Sequence, residues 1–193
     1  MDKDLLDLFK NLQKDRDFIK EREKTVKEAF DKIKEEIIEE FNNHPVTREI
    51  EAGIGSANIS GTLNGITNLY SFIGFYAGTD PITPIRQLLE KSNYRIVSSP
   101  TATIARVIFE IPTPKMIFNA TPMPWAVGRS WAKGIETGIS GIGYYLKLTL
   151  DKNSRSGLGV QSQKKVRTGV RFKNTKYISD LINKFEKELK KLD

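Results

Sequence analysis

Apolar residues recur at seven-residue spacing through the start of the chain, at Leu5, Leu12, Ile19, Val26 and Ile33, with Leu8, Phe9, Phe30 and Ile37 beside that line. No glycine or proline precedes Pro45. Good helix formers dominate, so the pattern predicts one long helix over the first 42 residues, or two joined near Lys14 to Asp17, carrying a narrow apolar seam. The seam suits a helix lying on its own domain or one packing against a neighbouring subunit. Its many Lys and Glu side chains form the solvated opposite face.

Asn42, Asn43, His44 and Pro45 end this helix, because proline removes a donor and restrains the residue before it. Thr47 to Ala52 adds a short helical turn. The aromatic and β-branched run Thr67 to Tyr76 predicts a strand. Thr79, Asp80 and Pro81 start a helix whose apolar face is Ile82, Ile85, Leu88 and Leu89. Tyr94 to Val97, Ala102 to Ile111 and Lys115 to Asn119 read as antiparallel strands, with Pro112 to Pro114 as a connection. A further strand is expected in the second half of the tract Gly128 to Leu150. The final helix is predicted over about Tyr177 to Leu192, with Ile178, Leu181, Ile182, Phe185 and Leu189 at helical spacing. The fold class is therefore α+β: a long N-terminal helix, a central antiparallel β-sheet with one short helix, an extended basic loop or hairpin, and a C-terminal helix. Residues 1–43 form a helical region and 44–193 the core domain.

A tract of 28 residues, Ala52 to Thr79, has no formal charge, in a chain that is 28% charged. It holds six glycines and a ladder of Ser, Asn and Thr, and predicts a surface made to be covered by protein. Leu69, Tyr70, Phe72, Ile73 and Phe75 are its candidate subunit-interface residues. Trp125, Arg129 and Trp131, on a short glycine-flanked segment, join them, since Trp and Arg are rich in binding energy; a tryptophan there serves equally as the cap of a core.

The net charge is +7 over 193 residues, enough for one substantial core. Residues 1–43 balance to −3, residues 44–121 to +1 and residues 122–193 to +9, so any anionic partner should meet the last third. Within it, 151–176 is too long for an ordinary connection and sets Lys152, Arg155, Lys164, Lys165, Arg167, Arg171 and Lys173 against the single acid Asp151. It predicts a projecting hairpin or a segment ordered only by a partner, and these residues are the candidate anionic-partner or DNA-facing set. Few aromatics lie nearby, which argues against a single-strand stacking platform.

Catalytic signals are missing from the sequence. With no cysteine and one histidine, thiolate chemistry is excluded and a shared metal site is not expected; His44 suits a cap or turn. Asp80, Glu110, Glu136 and Asp151 fall in different elements with no motif pairing them. The G-x-G pairs at Gly53 to Gly55 and Gly141 to Gly143 lack the rest of a phosphate loop. No catalytic residue, metal or cofactor is expected, nor a signal peptide or membrane span.

HPVTREIEAG at His44 to Gly53, SGTLNGITNLYSFIGF at Ser60 to Phe75, GRSWAKGIETGISGIGYYL at Gly128 to Leu146 and SRSGLGVQ at Ser154 to Gln161 together resemble small virion proteins of tailed bacteriophages. The order of long helix, glycine-rich segments, basic loop and terminal helix is similar to head-to-tail connector, neck or tail-completion proteins. The resemblance implies a homo-oligomeric ring between portal and tail, in contact with portal, connector or tail subunits and surrounding the DNA channel. It implies assembly in the host cytoplasm and residence in the virion. The competing class is a DNA-binding or packaging accessory protein that uses the basic C-terminal third.

Overall fold

The computed structural model describes residues 11, 15–65, 67–97, 106–124, 126–139 and 172–192, together with the backbone of 147–148 and 159–160. Helix α1 spans Arg16–Asn43, about 42 Å at the usual rise per residue. Asp15 fixes its start: one carboxylate oxygen accepts from the amides of Asp17 at 2.9 Å and Phe18 at 3.2 Å. The anticipated break near Lys14 to Asp17 thus coincides with a helix cap.

His44 separates α1 from α2, Pro45–Glu51, and its Nδ1 accepts from the Val46 amide at 3.2 Å, while Pro45 occupies the first helical turn, where no donor is missed. Helix α3 is Leu69–Ile73, where a strand was expected. A continuous apolar run cannot tell strand from buried helix, so the flanking residues decide. Asn68 caps the start by accepting from Ser71 N at 2.8 Å, and Gly74, with φ of 80°, ends it in the left-handed region that glycine tolerates.

Helix α4, Thr83–Glu90, begins after Asp80, which accepts from the amides of Ile82 and Thr83. Strands β1, Asn93–Val97, and β2, Arg106–Glu110, pair antiparallel from Asn93 opposite Glu110 to Val97 opposite Arg106. Their half-buried face lies on α1, with Phe30 ring centroids 5.1 Å from Tyr94 and 5.9 Å from Phe109. The Lys115 to Asn119 segment, also expected as a strand, is helix α5, Pro114–Asn119, because Thr113 caps it from Met116 N and Pro114 presets its first turn.

Strands β3, Pro122–Met123, and β4, Ala126–Ser130, lead into α6, Trp131–Thr137. The two-residue strands β5, Lys147–Leu148, and β6, Gly159–Val160, pair antiparallel, and the rest of the basic segment before Phe172 lies outside the described residues. Helix α7, Ile178–Leu189, closes the chain and packs on α1, with Lys184 ion-paired to Glu40. The class is α+β, and among the described residues the antiparallel pairing takes the form of three separate two-stranded sheets. Phe30, Ile37 and Phe41 of α1 share that core with Ile85 of α4, Trp131 of α6 and Phe185 of α7.

Candidate functional site

The uncharged tract closes on a buried carboxylate. Glu49, on α2, has 0% exposure, and no salt bridge among the described residues includes it. Its Oε1 accepts from Leu69 N at 2.7 Å and Asn58 Nδ2 at 2.8 Å; its Oε2 accepts from Ser60 N at 2.8 Å. Asn58 in turn accepts from the amides of Leu63 and Gly65, and Asn68 Nδ2 donates to the Ser56 carbonyl. A buried charge is tolerable only when hydrogen bonds replace its water, and the polar ladder of the tract supplies them.

The apolar residues of the tract lie inside the chain itself rather than on its surface. Leu69, Tyr70, Phe72, Ile73 and Phe75 are at most 5% exposed and belong to the chain's own core, as does Trp131. Tyr70 hydroxyl meets the carbonyls of Tyr76 and Thr79, which pins the end of the tract. Ile54, Ile59 and Tyr76 are exposed at its margins. Trp125 lies outside the described residues. Of the interface candidates, Arg129 alone is described and exposed.

A second closed cluster joins the helix ends. Tyr177 stacks near Phe41, His44 and Trp131, and its hydroxyl shares a 2.7 Å hydrogen bond with Thr47. Burial raises the Tyr177 pKa far above the ordinary phenol range, and burial also lowers that of His44, against the pull of Glu40. Glu136 accepts from the amides of Ile178 and Ser179 at 2.7 and 2.6 Å, so a carboxylate of α6 caps α7. These carboxylates are structural acceptors, each engaged by donors of its own chain.

The open counterpart is a cleft of about 600 Å³ between α5, the β3–β4 pair and the start of α6. Lys115, Arg129 and Lys133 line it with Asn119 and the half-buried Phe118. All three cations are exposed, and no described salt bridge includes Lys115 or Lys133. Gly128, with φ of 73°, makes the turn that brings Arg129 to the rim. Ser130 takes no part as a donor to solvent: its hydroxyl is paired with Thr121 at 2.8 Å and accepts from Lys133 N.

Lys115 and Asn119 were not singled out as site residues in the sequence, and Lys133 stands out there only beside Arg129 and Trp131 on the glycine-flanked segment, although a further signal exists. Ile111 to Ile135 is 25 residues without an acid, the complement of a neutral tract. Of the basic arm, Lys173 is described and exposed; its amide donates to the Thr62 carbonyl at 2.9 Å, and Phe172 stacks on Phe72, so the arm returns to the core beside the tract. Lys152, Arg155, Lys164, Lys165, Arg167 and Arg171 lie outside the described residues.

Helix α1 is divided in its burial. From Arg16 to Ala29 no residue is buried, yet Phe18, Ile19 and Val26 keep an apolar side, with Phe18 44% exposed. From Phe30 onward the same side enters the core. Among the described residues no cluster of three or more His, Cys, Asp or Glu could hold a metal, and no helix is long and apolar enough to cross a membrane. Comparison with protein-family models, curated proteins and solved structures finds no match to this chain.

Proposed function

We propose that the chain is a non-catalytic structural subunit of a tailed-phage virion, forming a ring of identical copies in the neck or tail-completion region that joins portal to tail. The exposed half of α1 carries this reading. A helix of this length gains most of its stability from packing an apolar side, and the side bearing Phe18, Ile19 and Val26 has no buried residue before Phe30. A neighbouring copy supplies the missing packing. The four segments that resemble virion proteins support the same assignment. The subunit contact thus moves from the uncharged tract, which the chain covers itself, to α1.

Sedimentation velocity across a concentration series tests the assembly. The wild type should form closed oligomers, whereas Phe18→Glu with Val26→Glu should remain monomeric with an unchanged melting temperature. A second arm places the chain: in particles assembled from the genome that encodes it, a fused tag should map to the head–tail junction by electron microscopy. A monomeric wild type, or a tag absent from particles, overturns the reading.

A further inference from the structure

We infer that strand β2 pairs antiparallel with the β2 of a second copy of the chain, about a two-fold axis through Ile108, so that the two β1–β2 ribbons join into one sheet. The inference stands on this strand and is independent of the virion reading and of the α1 contact.

The outer edge of β2 is open. Its backbone pairs with β1 on one side, and no other backbone hydrogen bond of the described residues reaches it. An unpaired edge is a template for another strand, and proteins guard such edges with bulges, prolines or charges that repel a copy. β3 and β1 are guarded in this way. β3 carries Pro122, which has no amide hydrogen to donate, and its register with β4 shifts between Pro122 and Met123. β1 has Arg95 at its centre, so two β1 edges in antiparallel register would set Arg95 on its own copy. The Tyr94 amide is also occupied, since it donates to Asn93 Oδ1 at 2.8 Å.

Nothing guards β2 against itself. Its sequence, Arg-Val-Ile-Phe-Glu, carries opposite charges at equal distances from Ile108. Antiparallel pairing centred there sets Arg106 opposite Glu110 twice, Val107 opposite Phe109 twice, and Ile108 opposite its own copy. The charge pairs and the aromatic–β-branched pairs both stabilise adjoining strands, whereas parallel pairing in register would set like charge on like. The side chains are placed for it. Arg106, Ile108 and Glu110 share the exposed face, where Ile108 is 37% exposed and Glu110 stays accessible although it meets Arg95 at 3.2 Å. Val107 and Phe109 share the half-buried face over α1, so the apolar rows of two copies run on from one ribbon to the next. A strand of a different protein would need the same order of acid, apolar residue and base, and this chain supplies it. One short edge buries far less than a stable interface, so the pair dissociates at the micromolar concentrations of a sedimentation series. It fills where other contacts hold copies close, at millimolar effective concentration.

Because the chain has no cysteine, single cysteines report the register. Opposite Cα atoms of an antiparallel pair lie about 4.5 to 5.5 Å apart, inside the disulfide range. Under mild oxidation of the full chain at millimolar concentration, Ile108→Cys should form a covalent dimer, and the comparably exposed Val97→Cys on β1 should not. Arg106→Cys alone and Glu110→Cys alone should stay uncoupled, while their mixture should cross-link. Charge reversal gives the second readout, followed by the dilution shifts of the β2 amides in NMR with Phe18→Glu and Val26→Glu present, so that α1 does not contribute. Arg106→Glu and Glu110→Arg should each weaken pairing about tenfold, because both charge pairs turn repulsive. An equimolar mixture of the two should restore it, since every opposed pair again joins an acid to a base. The inference fails if Ile108→Cys does not couple to itself, if Val97→Cys couples as readily, or if the charge mixture pairs no better than either variant alone. Coupling of Ile108→Cys to Arg95→Cys but not to itself would mean that β2 joins the β1 of the next copy, and overturns it too. A monomeric wild type in the sedimentation series would sink the α1 ring and leave these outcomes unchanged, so the two readings fail separately.

Discussion

The uncharged tract and the cationic cleft are opposites in sequence and opposites in fold. Ala52 to Thr79 lacks charge of either sign, and it folds inward around Glu49, whose oxygens accept from Asn58, Ser60 and Leu69. Ile111 to Ile135 lacks charge of one sign only, and it leaves Lys115, Arg129 and Lys133 facing solvent. A segment that satisfies itself has nothing to offer a partner. One that gathers charge of a single sign at its surface does.

The contrast breaks most visibly if the tract proves replaceable. Leu69→Asp puts a carboxylate into a fully buried site whose nearest polar groups already serve Glu49, and should destabilise the monomer by about 5 kcal/mol or more, enough to unfold many domains. Lys133→Asp, on the open side, should change stability by less than about 0.5 kcal/mol. Urea denaturation of both variants measures the difference. A folded Leu69→Asp that merely fails to assemble would restore the tract to an interface.

Next in size is Glu49 itself. Glu49→Ala leaves the amides of Ser60 and Leu69 and the side chain of Asn58 without their acceptor, and should lower stability by about 3 kcal/mol. Glu49→Gln keeps one acceptor but turns an NH₂ toward donors, so it should fall between Ala and wild type. Hydrogen exchange should show the loss concentrated at Ser60, Leu63 and Leu69. Equal protection in Glu49→Ala would mean that the tract holds its shape without the carboxylate.

Much of the helical frame was legible because its signals are local. Seven-residue spacing, Pro45 and the apolar face of α7 each depend on neighbours in sequence, and the helices end close to where those signals stop. The tract was misread because its two decisive partners are remote. Nothing in Thr67 to Tyr76 announces that Leu69 N will meet a carboxylate 20 residues earlier, and the apolar density that suggested a strand or an interface suits a buried helix equally well. Glu49 itself sits among ordinary helical residues, with no mark of burial. The cleft failed to register for a different reason: its cations are 14 and four residues apart, so they form no motif, and the absence of acids between them is the only trace.

A smaller effect probes the joint between the closed regions. Tyr177→Phe removes the hydroxyl that pairs with Thr47 in a fully buried cluster, leaving the Thr47 hydroxyl unpartnered, and should cost about 1 to 2 kcal/mol. Thr47→Val combined with Tyr177→Phe removes both members and should recover part of that loss, a coupling that a double-mutant cycle measures directly. Purely additive losses would show that the hydrogen bond adds nothing beyond the packing of the ring.

The smallest expected effect separates the two regions by pH. His44 caps α2 through Nδ1, which requires that nitrogen unprotonated, and burial holds its pKa below the ordinary 6.5. Above that value folded and unfolded chains are both neutral at this site, so its contribution is constant. As pH falls below 6.5 the unfolded chain takes up a proton that the folded one resists, and stability declines until pH passes the folded pKa. His44→Asn keeps a capping acceptor without an ionisable group, and should flatten that part of the stability profile. The described lining of the cleft contains no histidine, so Lys133→Gln should leave the shape of that profile unchanged. Urea denaturation on both sides of pH 6.5 should show the decline in the wild type and in Lys133→Gln and its loss in His44→Asn; if Lys133→Gln flattened the profile as His44→Asn does, the closed and open regions would be coupled, and the α1–α2 joint would be the element that connects them.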